Sequence, residues 1–369
     1  MRIALISPTL RGGGAERVAT VLSNDWVNKV ESVTVVTFEA PATEPGYPLD
    51  AKVLLRHIDG LNRSGGLGPR IATNLARLAR LRRLLKEIEA DVVVAFTTEA
   101  NVVTLLATRG LGVPVIVSER NQPDRPGLGY LRRAARRLAY PFASGIVVQT
   151  QELALWSQQR FTVPVHVLPN PVRLEEIKER APDDVGRQHE IVAVGRLVPQ
   201  KGFDILVAAF AKVASLHTSW RMTIYGEGAY RSALETQIRK ASLDQRIKLP
   251  GFVTGIDAAL QKAGLFVLPS RYEGYPNALL EALAASCPAV ATNCPGGVSG
   301  ILGDNEFGIL VPNEDSNALA SALDQIMSRP DLREHYAGKA RGAVQHLGAA
   351  AIGDRWLEVF GGLQGKRLV

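Results

Sequence analysis

Only two cysteines, Cys287 and Cys294, occur in 369 residues. They exclude a disulfide scaffold and a four-ligand zinc site, and they suit a reducing compartment. Aromatic residues are scarce at 6%, which argues against a stacking-rich binder of single-stranded nucleic acid. No apolar run approaches the roughly 18 residues of a membrane span, and Met1–Ile6 runs into Ser7-Pro8 without a secretory apolar region. The expectation is a cytoplasmic protein. There is no low-complexity tract, and with 46% apolar and 21% charged residues the chain reads as globular. Its length suits two domains of roughly 100–200 residues.

What is present is an uneven charge. The net +7 lies wholly within residues 1–170, where 21 basic residues face 14 acidic ones, while residues 171–369 are neutral. A basic half joined to a neutral half points to an anionic partner: nucleic acid, phospholipid headgroups or a phosphorylated substrate. No nucleic-acid reading motif accompanies the charge, so nucleic acid is not expected.

Short β-branched runs alternate with helical patterns. They are Arg2–Ile6, Ser32–Phe38, Asp91–Phe96, Val113–Ser118 and Gly145–Gln149, then Glu190–Gly195, Arg221–Tyr225, Arg246–Leu249, Leu265–Pro269, Ala289–Thr292 and Gly308–Val311. Continuous apolar strands between helices predict parallel sheets covered on both faces, hence an α/β chain of two doubly wound domains. Two prolines in Leu168–Val172, followed by a charged segment to Gln188, mark the linker. Ligands of such domains bind at the carboxyl ends of the strands.

Four strand ends carry candidate chemistry. The first leads into Gly12-Gly13-Gly14 ahead of a helix, a phosphate contact or a plain tight turn; Arg17 stands where a dinucleotide fingerprint needs its third glycine. Glu39 ends the second strand where a ribose-binding acid could sit. After Glu190–Gly195, Arg196 and Lys201 stand five residues apart in a glycine-bounded loop opening a helix, which suits a diphosphate clamp. After Leu265–Pro269 comes Glu273-Gly274-Tyr275-Pro276-Asn277-Ala278, with Glu281 eight positions beyond Glu273. That places two carboxylates on one element, with the Asn277 and Ala278 amides expected as unpaired donors at the helix start.

At these residues the chain resembles the retaining family 4 glycosyltransferases of the GT-B fold. The Glu-x7-Glu pair, the Gly-Arg…Lys-Gly loop and the N-terminal glycines fall in that family's order and spacing. The resemblance implies two Rossmann-like domains facing across a cleft: residues 1–170 bind the acceptor and residues 171–349 the nucleotide-sugar, a substrate rather than a cofactor. It implies a final helix, 350–365, packing back on the first domain. Glu281 is implied to bond the donor ribose and Glu273 the donor sugar, with Arg196 and Lys201 on the diphosphate and Gly13 and Gly14 closing over it. Gly251, Phe252 and Val253 are the implied nucleobase region, with uridine the commonest base.

No Asp-x-Asp occurs, so a metal-bridged donor site has no obvious ligands. The family precedent is likewise metal-independent, with retention of configuration. Glu119 and Glu99, at two strand ends of the first half, are candidates to orient the acceptor hydroxyl or act as a base. Many members of that family carry histidine near the position of Glu119, and this sequence departs from that pattern there. No pair of the six histidines has metal-ligand spacing.

The segment Pro69–Ala90 reads as an amphipathic helix with Ile71, Leu75, Leu78, Leu81 and Leu85 on one stripe. Arg77, Arg80, Arg83 and Lys86 form a basic ladder beside it, and Arg132, Arg133, Arg136 and Arg137 form a second cluster. Basic amphipathic helices suit an anionic membrane surface or the diphosphate of a lipid-linked acceptor, with a solvated helix face as the plain alternative. The reading is a glycosyltransferase with a UDP-sugar donor and a lipid-linked glycan acceptor in surface polysaccharide assembly, peripheral at the inner membrane face. Its alternatives are a sugar-nucleotide epimerase or hydrolase of the same fold and a non-catalytic nucleotide-sugar-binding protein. A nicotinamide oxidoreductase would rest on Gly12–Gly14 and Glu39 alone.

Overall fold

Val92–Phe96 and Gly145–Val148 are apolar or glycine at every position and buried throughout, which requires cover on both faces of a sheet. A computed structural model describes residues 1–41, 43–58, 67–120, 129–175, 177, 188–253 and 255–364, with the side chains of 67–72 and 364 outside that description. The chain divides into two units, Met1–Pro171 with Ala349–Val369, and Val172–Gly348.

The first stretch comprises β1 (Arg2–Ser7), α1 (Gly14–Trp26), β2 (Ser32–Thr37), β3 (Leu54–His57), α2 (Leu67–Ile88), β4 (Val92–Phe96), α3 (Thr98–Ala107), β5 (Val115–Ser118), α4 (Tyr130–Ala139), β6 (Gly145–Val148), α5 (Gln151–Gln158) and β7 (Val165–Val167). The second comprises β8 (Gln188–Val194), α6 (Phe203–Val213), β9 (Arg221–Tyr225), α7 (Arg231–Lys240), β10 (Ile247–Gly251), α8 (Asp257–Lys262), β11 (Ala263–Leu268), α9 (Asn277–Ala284), β12 (Ala289–Thr292), α10 (Val298–Leu302), β13 (Ile309–Val311), α11 (Ser316–Ser328) and α12 (Pro330–Ala340). Last comes α13 (Ala349–Gln364).

Both sheets are parallel, in the orders β3-β2-β1-β4-β5-β6-β7 and β10-β9-β8-β11-β12-β13. The chain reverses direction across the sheet between β1 and β4, and again between β8 and β11. Those switch points are where doubly wound sheets bind ligands. Every expected strand is present. β3 and β7 were not expected, because each is short, lies at a sheet edge and lacks a continuous apolar run.

The final helix belongs to the first unit. Trp356 and Phe360 of α13 pack edge-on against Trp26 of α1, with ring centroids 5.8 and 5.3 Å away. Trp26 Nε1 also donates to the Gly353 carbonyl at 3.2 Å. A Cβ at Gly353 would fall 1.8 Å from an Asp25 carboxylate oxygen, so glycine permits this close helix contact. Of the expected linker, residues 176 and 178–187 lie outside the described residues, as do Asn121–Pro123 beyond β5.

Candidate active site

β8 ends at Val194 and the chain loops through Gly195–Gly202 into α6. Gly202 has φ +64°, and a Cβ there would lie 1.9 Å from the Pro269 carbonyl oxygen. Glycine therefore lets this loop lie directly on the segment leaving β11. Three bonds clip the two together. The Arg271 amide donates to the Gln200 carbonyl at 2.8 Å, Gln200 Nε2 to the Tyr272 carbonyl at 2.9 Å, and Arg271 Nη1 to the Pro199 carbonyl at 2.6 Å.

This clipping carries Lys201 onto Glu273. Its Nζ lies 2.7 and 2.9 Å from the two carboxylate oxygens, and Ser270 Oγ donates to Oε1 at 2.5 Å. The Glu273 side chain is only 5% exposed, so a buried carboxylate is held with its counter-ion at the mouth of the switch point. The Glu273 amide donates to the Pro295 carbonyl at 2.8 Å. Gly296, at φ +119°, passes so close beneath that a Cβ would meet the Glu273 carbonyl at 2.3 Å. Neighbouring Cys294 has its thiol pushed up to about 12 by burial and by the Glu273 charge.

Glu281 is buried on α9, and Gly274 and Tyr275 before that helix are half-buried. Burial pushes the Tyr275 hydroxyl up to about 12. One expectation needs correction. The Asn277 amide is not an unpaired donor, because the turn at Pro276 brings the Tyr275 carbonyl within 3.0 Å of it. Arg196 and Lys201 also part company: Arg196 is exposed, whereas Lys201 serves Glu273. At the end of β10, Gly251 takes φ +95° and its carbonyl accepts from the Gly226 amide at 2.8 Å, leaving Phe252 and Val253 exposed.

Sequence reading missed Ser270, Gly296 and the Arg271–Asp204 pair. Ser270 has no signal apart from the nearby Glu273, Gly296 only the Pro295-Gly296-Gly297 turn after the strand Ala289–Thr292, and Arg271 and Asp204 stand 67 positions apart. Arg271 Nη1 and Nη2 lie 2.9 and 2.8 Å from the Asp204 oxygens, and Nε lies 2.7 Å from Glu314. Burial acts to raise the Asp204 pKa, but the Arg271 bonds and charge outweigh it, and the net shift is downward. A depressed carboxyl stabilises the native state above its unfolded pKa and loses that stabilisation as pH falls through the native value. Asp204→Asn is therefore expected to cost about 1–2 kcal/mol at pH 7, after solvent screening. Thermal melts should show the difference from wild type shrinking below about pH 4.

In the first unit, the Glu39 carboxylate is already engaged by neighbouring groups. It accepts from Thr9 Oγ1 at 2.8 Å and the Leu10 amide at 2.9 Å, and pairs with Arg11 Nε at 2.8 Å. It braces the Gly12–Gly14 loop from behind, which removes the nicotinamide reading's acid. Gly12 takes φ +149°, and Gly13 stands at the N-cap of α1 with extended backbone. Glu119 is 2% exposed and accepts from Thr98 Oγ1 at 2.9 Å and Tyr140 Oη at 2.7 Å, with Arg136 at 3.9 Å. Held by those donors, it ties β5 to α3 and α4. Glu99, by contrast, is half-exposed and lies 3.4 Å from Arg77 and 4.0 Å from Arg132.

Two family models together span residues 12–343: "Glycosyltransferase Family 4" matches 12–176 and "Glycosyl transferases group 1" matches 175–343. The chain belongs to the family 4 glycosyltransferases. This glycosyltransferase is 27% identical to the Campylobacter jejuni "GalNAc-alpha-(1->4)-GalNAc-alpha-(1->3)-diNAcBac-PP-undecaprenol alpha-1,4-N-acetyl-D-galactosaminyltransferase", covering 98% of both chains. It is also 27% identical to the amylovoran biosynthesis glycosyltransferase AmsD of Erwinia amylovora, over 97% of this chain and 99% of that one. In fold it matches sucrose-phosphate synthase from Thermosynechococcus elongatus, at 18% identity with a TM-score of 0.86 over 99% of each chain. It also matches Anabaena HepE, solved with UDP and glucose, at 21% identity and TM-score 0.81 over 98% of this chain and all of that one. These likenesses establish the GT-B fold.

The basic residues of the glycosyltransferase divide by burial. Arg80, Arg83 and Lys86 on α2 and Arg132, Arg133 and Arg137 on α4 are exposed. Arg77 and Arg136, expected in the same basic faces, turn inward. Arg77 lies 5.1 Å from the Phe38 ring centroid and Arg136 4.7 Å from that of Trp156. The ladder step of three drifts around a 3.6-residue helix, so its first member falls on the inner face. Arg82, not singled out by its spacing, donates to the Ala107 and Arg109 carbonyls at 2.8 and 2.6 Å and closes the end of α3. Leu81 and Leu85 are buried and Leu78 packs against the core, but Leu75 is exposed; the Ile71 side chain lies outside the described residues. Among the described residues, no helix is long and apolar enough to cross a membrane.

Proposed function

We propose that this glycosyltransferase moves a sugar, with retention of configuration and without a metal ion, from a UDP-sugar to a lipid-linked glycan in cell-surface polysaccharide assembly. The carrying observation is the Lys201–Glu273–Ser270 cluster at the β11 switch point, where a buried carboxylate is oriented by two donors. In the proposed complex Glu273 faces the donor sugar, Glu281 the ribose, and Phe252 and Val253 the base. Arg196, the Ala278 amide and Gly12–Gly14 meet the diphosphate, with Lys201 shared between the diphosphate and Glu273.

Departure of a nucleoside diphosphate needs its growing negative charge stabilised while positive charge develops at the sugar. Fixed cations and helix amides supply the first requirement, and a carboxylate close to the sugar the second. The chain contains no Asp-x-Asp to bridge a metal to the diphosphate. In this front-face reading the leaving phosphate takes the proton of the acceptor hydroxyl as the new glycosidic bond forms. Glu119 serves as a brace and Glu99 borders the acceptor side.

The relative acting on an undecaprenol diphosphate glycan supports the acceptor class, and AmsD supports polysaccharide assembly. The exposed cations of α2 and α4 support a peripheral place at an anionic membrane face.

A thermal-shift panel with UDP, GDP, ADP and NAD tests the donor site. At 100 times its Kd a ligand stabilises the native state by about 2.7 kcal/mol. UDP is expected to raise the melting temperature and NAD to leave it unchanged. A shift with NAD alone would overturn the reading, and turnover of UDP-sugar independent of any acceptor would favour the hydrolase or epimerase. A rate that requires added Mg²⁺ after chelator controls would remove metal independence.

A further inference from the structure

A cavity in the first unit lies between α2, α3 and α4. Its volume is about 680 Å3, within the range of roughly 300–1,000 Å3 typical of small-molecule sites. Its walls are apolar, formed by Leu75 and Leu78 of α2, Val102, Val103 and Leu106 of α3, and Leu131 of α4. Three of these are strongly exposed: Leu131 at 82%, Leu75 at 63% and Leu106 at 47%. Soluble chains rarely leave such side chains grouped around one depression unless something apolar enters it.

The polar lining gives the occupant a charge. Glu99 lies at the cavity with Arg77 3.4 Å and Arg132 4.0 Å away, so two guanidinium groups share one carboxylate. Arg132 is exposed at this edge of α4, and all of the chain's net positive charge lies in this half. An apolar trough with a cationic rim is complementary to one ligand class, an anionic head joined to a hydrocarbon tail.

We propose that this trough is the binding site for a single lipid chain: the proximal isoprenyl or acyl segment of an anionic amphiphile lies between α2, α3 and α4, with its diphosphate against Arg132. This deepens the acceptor reading above and rests on it. It also moves lipid recognition from the α2 ladder to a three-helix trough that reads the tail as well as the head. Glu99, half-exposed between two arginines, then acts as a positioning residue that fixes the rim.

Titration calorimetry on the full chain, without vesicles or detergent, tests it with farnesyl diphosphate below its micellar concentration and with inorganic pyrophosphate. Farnesyl diphosphate is expected to bind at least tenfold more tightly than pyrophosphate. Leu106→Gln and Leu131→Gln, both at exposed positions, are each expected to weaken farnesyl diphosphate at least fivefold and leave pyrophosphate binding and the UDP-induced melting shift unchanged. Equal affinity for the two ligands would reduce the site to a headgroup contact and overturn the proposal. In a parallel co-sedimentation assay, binding only to phosphatidylglycerol vesicles, indifferent to both substitutions, would replace it with adsorption to a bilayer. Dimerisation abolished by the two substitutions would show that a second copy covers the trough. Failure of the UDP shift with farnesyl binding intact would sink the donor reading alone.

Discussion

Glu273→Gln is expected to lower kcat/KM by at least about 100-fold while UDP still raises the melting temperature. The amide matches the carboxylate in shape, so Ser270 and the Pro295 carbonyl can keep their bonds to this residue. What disappears is the charge. A neutral group cannot offset positive charge developing at the sugar, so the loss falls on the chemical step and spares donor binding. The same substitution strips Lys201 of its counter-ion at a position where its side chain is only 17% exposed. Leaving one member of a largely buried pair without the other costs roughly 3 kcal/mol, and part of that should return when UDP supplies a diphosphate for Lys201. The UDP-induced shift is therefore expected to be larger in the variant than in wild type. Steady-state kinetics and paired melts with and without UDP measure both effects. Activity within twofold of wild type would leave Glu273 as the partner of Lys201 and nothing more.

Trp356→Ala should destabilise the first unit by about 3–5 kcal/mol, the cost of deleting a large buried aromatic. Trp356 has no solvent exposure and sits among Trp26, Phe96 and Phe360, at 5.8, 6.0 and 5.8 Å between centroids. Phe96 ends β4, next to the switch point, and Trp26 ends α1, so one side chain joins the last helix to the elements around the glycine loop. Arg120 is held over Phe96 and Trp356 at 4.2 and 5.8 Å, and burial pulls its guanidinium down to about 9. Removing the indole would open a cavity beside that buried cation and admit water. For a unit of this size each kcal/mol moves the midpoint by about 2–4 °C, so calorimetry should place the variant's first transition about 10 °C lower. Trp356→Phe should recover most of the loss. A shift of only a degree or two would mean that α13 contributes little to the unit it packs on.

The periodic information in the chain was sufficient for its architecture. A strand buried on both faces has to be apolar at nearly every position, and β4, β5 and β11 announce themselves that way without reference to any partner. Glycines at a strand-to-helix turn are similarly legible, because their freedom from a Cβ is a local property. The order Gly12–Gly14, Arg196, Lys201, Glu273 and Glu281 therefore located the loops that gather at the two switch points.

What each side chain does there depended on neighbours far away in sequence. Lys201 and Glu273 are 72 positions apart, and only the approach of Gly202 to Pro269 turns two independent motif residues into one ion pair. Glu39 and Glu119 looked like free strand-end acids, yet each is consumed by donors from other segments. Arg77 and Arg136 looked like surface cations, but the faces of α2 and α4 that meet the core take them inward over Phe38 and Trp156. β3 and β7 went unread because an edge strand needs apolar cover on fewer sides and so leaves no continuous run. Local sequence thus determined which segments become strands and where the ligand loops lie. Which carboxylates stay available for chemistry was decided by tertiary contact, since pairing and burial are properties of what a residue meets after folding.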